Sequence, residues 1–562
     1  MGKRFFLLFC FAAVFLLRIF PISAGDLTSD NALYAFRALG WFDYVDNYGV
    51  PIYWFTSIPW WTHLSFVDKP PLVFFFEHIF FKTFGDSIVV AKLPFVLFGL
   101  LSVWAMYFFV RKLKNARTAI LAALILGVSS FATWAGLSGY LEGIELFFVL
   151  MTFFVALLYL RSDHNPRYLW MTALFFALSL MTKYTSIFLF PVLFLLFYRY
   201  RSRPVDFSKA LDVFTIAAQI FVVVLLPVII YNFFLFKTRG HFDSSLSAMM
   251  GIYSNDFGAS NFLSPHISLA NLKEFIVIIF QTTSIPLSII FLTSLLVLSI
   301  KMIRKQANLL EEALCLVLWC SIVMFLFLSP AARYLPITIP FFSLAAAMFL
   351  IDMEDKTKTR NKKMFFRLVV VGVLGFEIFF NINTNMLTHP TGATSLYYSQ
   401  LRQENVGFNQ LDIFLKKIAE EKFSQNTLIK KINSSKELFV NSQEIASHEI
   451  AIIYDARIDW FATVWYLERY NIYYRIPVLS SETPFGALFT YSTSSLATMY
   501  PNLHKVYFIA PLNDRVMDRE KMTRPHYFPL DSVEDHLSKT YPREVIRDRN
   551  GISAFEIFSV DI

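Results

Sequence analysis

The sequence predicts an α-helical polytopic membrane protein with about eleven transmembrane helices, followed by a small α/β domain at its C-terminal end. Three observations predict it. The 562 residues are 56% hydrophobic, with 64 Phe, and only 16% are charged, against about 25% in an ordinary soluble protein. The apolar residues run in long uninterrupted segments of roughly the 20 residues that cross a bilayer. Between these segments the basic residues form short clusters, the pattern of cytoplasmic loops. The net charge of +8 therefore belongs to loops and not to a nucleic-acid-binding face. Cys10, Cys315 and Cys320 all lie inside apolar segments and read as small core residues, not as disulfides or metal ligands.

The first span is residues 5–24. A signal peptide is its rival reading, because Lys3 and Arg4 precede a short apolar core and "ISA" resembles a cleavage site. The next elements follow from the basic loops "RKLKNAR" (111–117), "RSDHNPR" (161–167), "RYRSR" (199–203), "KMIRK" (301–305) and "KTKTRNKK" (356–363), which the positive-inside rule assigns to the cytoplasm. Spans are expected near 88–110, 118–137, 142–160, 168–182, 184–198, 210–235, 273–300, 313–329, 335–352 and 366–384, with a tight "LMTKYTS" corner between the two short ones. Eleven crossings put residues 385–562 outside. Strand-like runs such as "KELFVN", "IAIIYD", "KVYFIAP" and "ISAFEIF" make that tail an extracytoplasmic α/β domain beside the membrane domain 1–384. Two further outer segments are expected, 25–87 and 236–272. The first contains "WFTSIPWWTHLSFVDKPPL", with tryptophans suited to the membrane–water boundary.

Few charges survive in or beside the spans, and on this threading they share one side. Asp30 follows the first span, Asp68 and Lys69 sit in "FVDKPPL", Glu142 and Glu145 open a span in "GYLEGIELFF", Lys183 occupies "MTKYT", and Arg333 occupies "AARYLP". Ionisable groups at membrane depth cost several kcal/mol each and tend to be kept for function. Each also has a plain structural reading. Lys183 and Arg333 can anchor span ends, Glu145 can pair or cap locally, and Asp30 can start the helix "SDNALYAFRAL". Pro70 and Pro71 stiffen the corner that carries Asp68 and Lys69, while the Phe-rich run after them lies along the interface.

A shell of carboxylates and fixed cations suits group transfer from an anionic donor. Cations hold a phosphate and stabilise its charge as it leaves, and one carboxylate takes the proton of an attacking hydroxyl. No nucleotide-binding loop or dinucleotide fingerprint is present. The donor is then expected in the membrane, with a lipid tail between spans. The rivals are a transporter or flippase of lipid-linked intermediates, with charges at mid-membrane and repeat-like halves, and a scaffold whose tail binds a partner.

The series "SDNALYAFRAL", "FVDKPPLVFFF", "GYLEGIELFF", "LMTKYT" and "ARYLPITIP" resembles the polyprenyl-phosphate-dependent glycosyltransferases of the GT-C fold. It is most similar to the dolichyl-phosphate-mannose–protein mannosyltransferase family and the bacterial aminoarabinose-to-lipid-A transferases, over most of residues 1–350. The resemblance implies a multi-pass enzyme of the plasma (inner) membrane. It would transfer a sugar from a polyprenyl-phosphate donor, with inversion, to a lipid, glycan or protein acceptor. It implies Asp30 as general base and Lys69, Lys183 and Arg333 at the donor phosphate, with Tyr34 beside them and Glu142 at a position where the family carries aspartate. It also implies that Asp68, with His241 or His266 from the later outer loop, can ligate a divalent metal. The family's second acid after Asp30 and its basic residue before Tyr34 are replaced here by Asn31 and Leu33.

Overall fold

The computed structural model describes the whole chain except residues 1, 44–54, 56, 163, 201–206, 253, 255, 257–267, 328–329, 393, 423–439, 492 and 519–529. Two compact units emerge. One comprises residues 1–22, 61–76 and 92–403, the other residues 23–60, 77–91 and 404–562.

The first unit is a helical bundle. Among the described residues, seven helices are long and apolar enough to cross a membrane, and a bent pair, Ala116–Val128 with Ser130–Leu137, can form an eighth span. Each of the eleven expected segments coincides with a helix or a broken pair of helices. Two expectations need correction. The segment expected as one span at 273–300 is two helices, Leu269–Thr282 and Ile285–Ile303. Pro286 explains the restart, since a residue without an N–H is tolerated in the first turn but not in a helix interior. The span expected at 118–137 bends by 57° after Val128.

Breaks inside a bundle leave peptide groups without helical partners, and here buried polar side chains meet them. Glu377, Asn381 and Asn385 lie on helix Arg360–Asn385 at four-residue spacing, hence on one face. Glu377 accepts from the N–H of Ser130 (2.8 Å) and from that of Ser284 (2.9 Å), so one carboxylate serves the N-termini of both restarted helices. Asn381 donates to Val128 O and Thr133 Oγ1, and Asn385 to Ser130 O. On the other side of the bend the buried Arg18 donates to Leu126 O and Ala132 O. Gly99 makes room for it, because a Cβ there would lie 2.5 Å from Arg18 Nη1.

The basic clusters of the loops are paired with acids on neighbouring helix ends. Lys301 sits between Glu311 and Asp352, each 2.7 Å away. Arg117 reaches Glu354 and Asp355, and Arg367 reaches Glu354. Arg199 and the Tyr200 hydroxyl both engage Glu312.

The second unit is built on a five-stranded sheet of order β2-β1-β3-β5-β4, with β1 Ile450–Tyr454, β2 Val478–Ser480, β3 Lys505–Pro511, β4 Arg543–Arg547 and β5 Ser553–Asp561. The β2-β1-β3 half is parallel and the β3-β5-β4 half antiparallel. The runs "IAIIYD", "KVYFIAP" and "ISAFEIF" become β1, β3 and β5, while residues 436–439 of "KELFVN" lie outside the described residues. Residues that follow the first span belong to this unit. Asp26 accepts from the backbone N–H groups of Val406, Gly407, Phe408 and Asn409 and so caps helix Phe408–Lys422. Tyr466 accepts from Leu27 N–H and donates to Asn409, and the Tyr473 hydroxyl donates to Phe36 O. Buried Arg469 pairs with Asp412 and lies over the Trp465 ring.

Candidate active site

Four of the residues expected at the donor phosphate or beside it belong to the helical unit: Lys69, Glu142, Lys183 and Arg333. Each sits where a helix begins, ends or breaks. Glu142 is the first residue of helix Glu142–Arg161. Lys183, extended at φ −163° and ψ 139°, separates helix Pro166–Thr182 from the 3-10 turn Tyr184–Phe188. Arg333 lies in the 3-10 segment Ala332–Thr338, and Lys69 precedes helix Leu72–Phe84.

Lys183 is bonded to the buried Glu142. Its ammonium also stands 4.0 Å from the centre of the Tyr334 ring, a cation–π contact. Arg333 donates to the Tyr334 hydroxyl at 3.0 Å. Tyr334 thus joins the two cations contributed by separate helix breaks. Glu145, one turn from Glu142, is buried and accepts from the hydroxyls of Thr185 and Ser186 at 2.7 Å each, which fixes the corner just after Lys183. The structure therefore supports the local, bracing reading of Glu145.

The Asp68–Lys69 corner is held through backbone. Ser244 N–H donates to Val67 O at 2.7 Å, and Ser245 Oγ donates to Asp68 O at 2.6 Å. The residue before them, Asp243, accepts from the hydroxyl of Tyr184, the neighbour of Lys183, at 2.7 Å. A continuous path of hydrogen bonds and covalent neighbours therefore runs from Lys69 to Lys183, and the cation–π contact with Tyr334 extends it to Arg333. Asp68 lies 3.8 Å from the Lys69 ammonium.

Asp30 and Tyr34 belong to the second unit. Asp30 opens helix Asp30–Gly40 with its side chain partly exposed, and the Tyr34 hydroxyl donates to its Oδ2 at 3.3 Å. Asp30 is the first helical residue and not the N-cap, a position taken by Ser29. Ser29 is the capping residue but makes no side-chain cap, while Asn31 Oδ1 accepts from the N–H groups of Ser29 and Ala32.

Of the residues expected to ligate a metal, His241 is engaged within the protein. His241 is buried and both ring nitrogens are engaged, Nδ1 with Phe242 O at 2.7 Å and Nε2 with Asp256 at 2.9 Å. Arg239 makes a two-point contact to the same Asp256. His266 lies outside the described residues. Among the described residues no three His, Cys, Asp or Glu side chains converge in a way that could hold a metal ion.

Sequence reasoning missed Tyr334, Tyr184, Asn232 and Asp243. The signals existed. Asn232 is an amide inside the apolar run "VIIYNFFLF", and "DSSL" is a helix-start pattern at the end of that span.

A family model for the dolichyl-phosphate-mannose-protein mannosyltransferases matches residues 68–231, a stretch that holds Lys69, Glu142 and Lys183. No curated protein matches the sequence. The crystal structure of ArnT from Cupriavidus metallidurans bound to undecaprenyl phosphate superposes with a TM-score of 0.52 at 13% identity, covering 99% of this chain and 98% of that one. The same protein in the apo state gives 0.51 at 13% identity, over 100% and 98%. The oligosaccharyltransferase AglB from Archaeoglobus fulgidus, in complex with an inhibitory peptide and a dolichol-phosphate, gives 0.50 at 14% identity, over 100% and 76%. The chain has the GT-C fold of multi-pass membrane glycosyltransferases, as its motifs predict.

Proposed function

We propose that this protein is a membrane glycosyltransferase that moves a hexosyl or pentosyl unit from a polyprenyl-phosphate carrier to a lipid, glycan or protein acceptor. The observation that carries the reading is the set Lys183, Glu142 and Arg333 gathered at helix breaks, to which the corner carrying Lys69 is tied through its backbone. The fold, the partial match to the mannosyltransferase model and the resemblance of five motifs support it. Irregular backbone at membrane depth is tolerated where it is buried in protein or lines a cavity. Breaks that present cations fit a phosphate whose polyprenyl tail remains in hydrocarbon.

The acceptor's hydroxyl or amine attacks the anomeric carbon of the donor from the face opposite the phosphate. A glycosidic bond forms, the bond from the anomeric carbon to the phosphate oxygen breaks with its electron pair, and the configuration inverts. Lys69, Lys183 and Arg333 stabilise the charge gathering on the departing polyprenyl phosphate. Glu142 holds the Lys183 ammonium in place without neutralising all three cations. Asp30 takes the acceptor's proton. This role rests on the motif resemblance and on a partly exposed carboxylate that accepts from the Tyr34 hydroxyl. No step is routed through a metal. The reaction belongs on the outer side of the plasma (inner) membrane, with residues 385–562 outside, because the basic clusters at 111–117, 301–305 and 356–363 claim the cytoplasmic side.

The test is transfer by the purified protein in nanodiscs, from a panel of polyprenyl-phosphate sugars, followed by mass spectrometry of the acceptor. Transfer that disappears in Lys69→Ala and Arg333→Ala with the fold intact supports the reading. Equal transfer by both variants refutes it.

A further inference from the structure

Lys69 and Lys183 are 114 positions apart in sequence and neither lies in a regular element. Whatever fixes one cation relative to the other determines whether a single phosphate can meet both. The structure provides one junction between them, at Asp243.

Asp243 is wholly buried. Its Oδ1 accepts from Leu246 N–H at 2.8 Å and starts the short helix Ser244–Met250. Its Oδ2 accepts from the Tyr184 hydroxyl at 2.7 Å and from Asn232 Nδ2 at 2.8 Å, while its own N–H donates to Asn232 Oδ1 at 2.7 Å. One side chain therefore ties together three places: the residue after Lys183, the long helix Phe207–Arg239, and the turn whose Ser244 and Ser245 hold the Val67 and Asp68 carbonyls. Burial raises the pKa of this carboxyl, while its hydrogen bonds and the nearby charge of Lys69 act to lower it.

We propose that Asp243 is a positioning residue that sets the spacing of Lys69 and Lys183, and through it the recognition of the donor's phosphate. This rests on the proposed function. Asp243 holds Tyr184 and the serine turn at once, so a carboxylate with two free acceptor oxygens is required. In Asp243→Asn one acceptor becomes an amide that opposes either the Leu246 N–H, loosening the serine turn, or the Tyr184 hydroxyl and the Asn232 amide together, so either orientation breaks one side of the tie. Tyr184→Phe severs only the link toward Lys183 and keeps the ring.

The experiment measures binding of undecaprenyl phosphate and of undecaprenol to the full-length protein in nanodiscs, for wild type, Asp243→Asn and Tyr184→Phe. Wild type is expected to prefer the phosphate strongly. Each variant should lose about tenfold or more of that preference while still binding undecaprenol as wild type does. The double variant should be no worse than Asp243→Asn alone, since both remove one link. A general structural lesion weakens both ligands together and overturns the inference, as does an unchanged preference in Tyr184→Phe. If wild type itself shows no preference for the phosphate, the proposed function falls, and this inference with it. If wild type prefers the phosphate and both variants match it, only the inference falls.

Discussion

Lys183→Met separates a structural role for the Lys183–Glu142 pair from a functional one. Lys183 and Glu142 have side chains only 12% and 4% exposed. Methionine fills similar volume but leaves the Glu142 carboxylate without its counter-ion, and removing one partner of a buried pair costs about 3–5 kcal/mol. Glu145, one turn away and also buried, adds a second acid to the same pocket. The single variant should therefore be less stable by about 3 kcal/mol or more. Its transfer rate should fall by about 100- to 1,000-fold, the scale for deleting one electrostatic contact to a developing anion. The second variant, Lys183→Met with Glu142→Leu, removes the orphaned carboxylate and should recover most of the stability, because apolar replacement of a whole buried pair is often neutral. It should recover none of the transfer. Thermal unfolding in detergent and single-turnover transfer from a polyprenyl-phosphate sugar read the two quantities independently. If the double variant regains both stability and transfer, Lys183 is a structural partner of Glu142 and does not act on the donor.

Three other outcomes follow from the same contacts. Asp30→Asn, at a partly exposed helix start, should keep the unfolding temperature within a few degrees and abolish transfer while leaving undecaprenyl phosphate binding intact; near-wild-type turnover would remove Asp30 as the base. Glu377→Ala leaves the Ser130 and Ser284 N–H groups without their acceptor and should cost about 2–5 kcal/mol, whereas Glu377→Gln, which retains one acceptor oxygen, should cost distinctly less by thermal unfolding. Glu534 titrates near 8 in the folded protein, raised from 4.5 chiefly by burial and by its hydrogen bond to Asp455. The folded state thus holds a proton that the unfolded chain has already released, so stability should decline as pH rises from about 4.5 to about 8. Glu534→Gln should flatten that slope in pH-dependent unfolding.

The fold was legible because bilayer-spanning helices declare themselves by length and apolarity, and the loops by their charge. Residues 142–161 and 366–384 needed no more than that. The helix breaks were harder. Ser129–Ser130 and Thr282–Ser284 interrupt apolar runs with short clusters of small polar residues, and only Pro286 marks a restart by backbone chemistry. What makes those breaks stable is Glu377 on a distant helix, 247 positions from Ser130, and no local pattern reports a partner that far away. The cations of the site were legible for the opposite reason. Lys69, Lys183 and Arg333 are charges in apolar surroundings, which is a strong signal in one dimension. Tyr184 and Tyr334, which connect them, are aromatic residues among many aromatics and carry no such contrast. The partner of His241, Asp256, was not legible either, because it lies 15 residues on in a polar loop that gives no register.

The breaks and the site are two aspects of one design. A continuous helix satisfies its own peptide groups and can present a charge only from its flank, facing lipid or a neighbour. An interrupted helix exposes peptide ends that demand polar company, and the residue at the interruption is freed from helical geometry. Lys183 at φ −163° could not point toward Glu142 and Tyr334 from the interior of an unbroken span. The bundle compensates its interruptions with Glu377, Asn381, Asn385 and Arg18, none of which needs to meet a substrate. Those residues serve the breaks near Ser129 and Ser284, while Lys183 and Arg333 stand at other breaks, where the backbone is free of helical geometry.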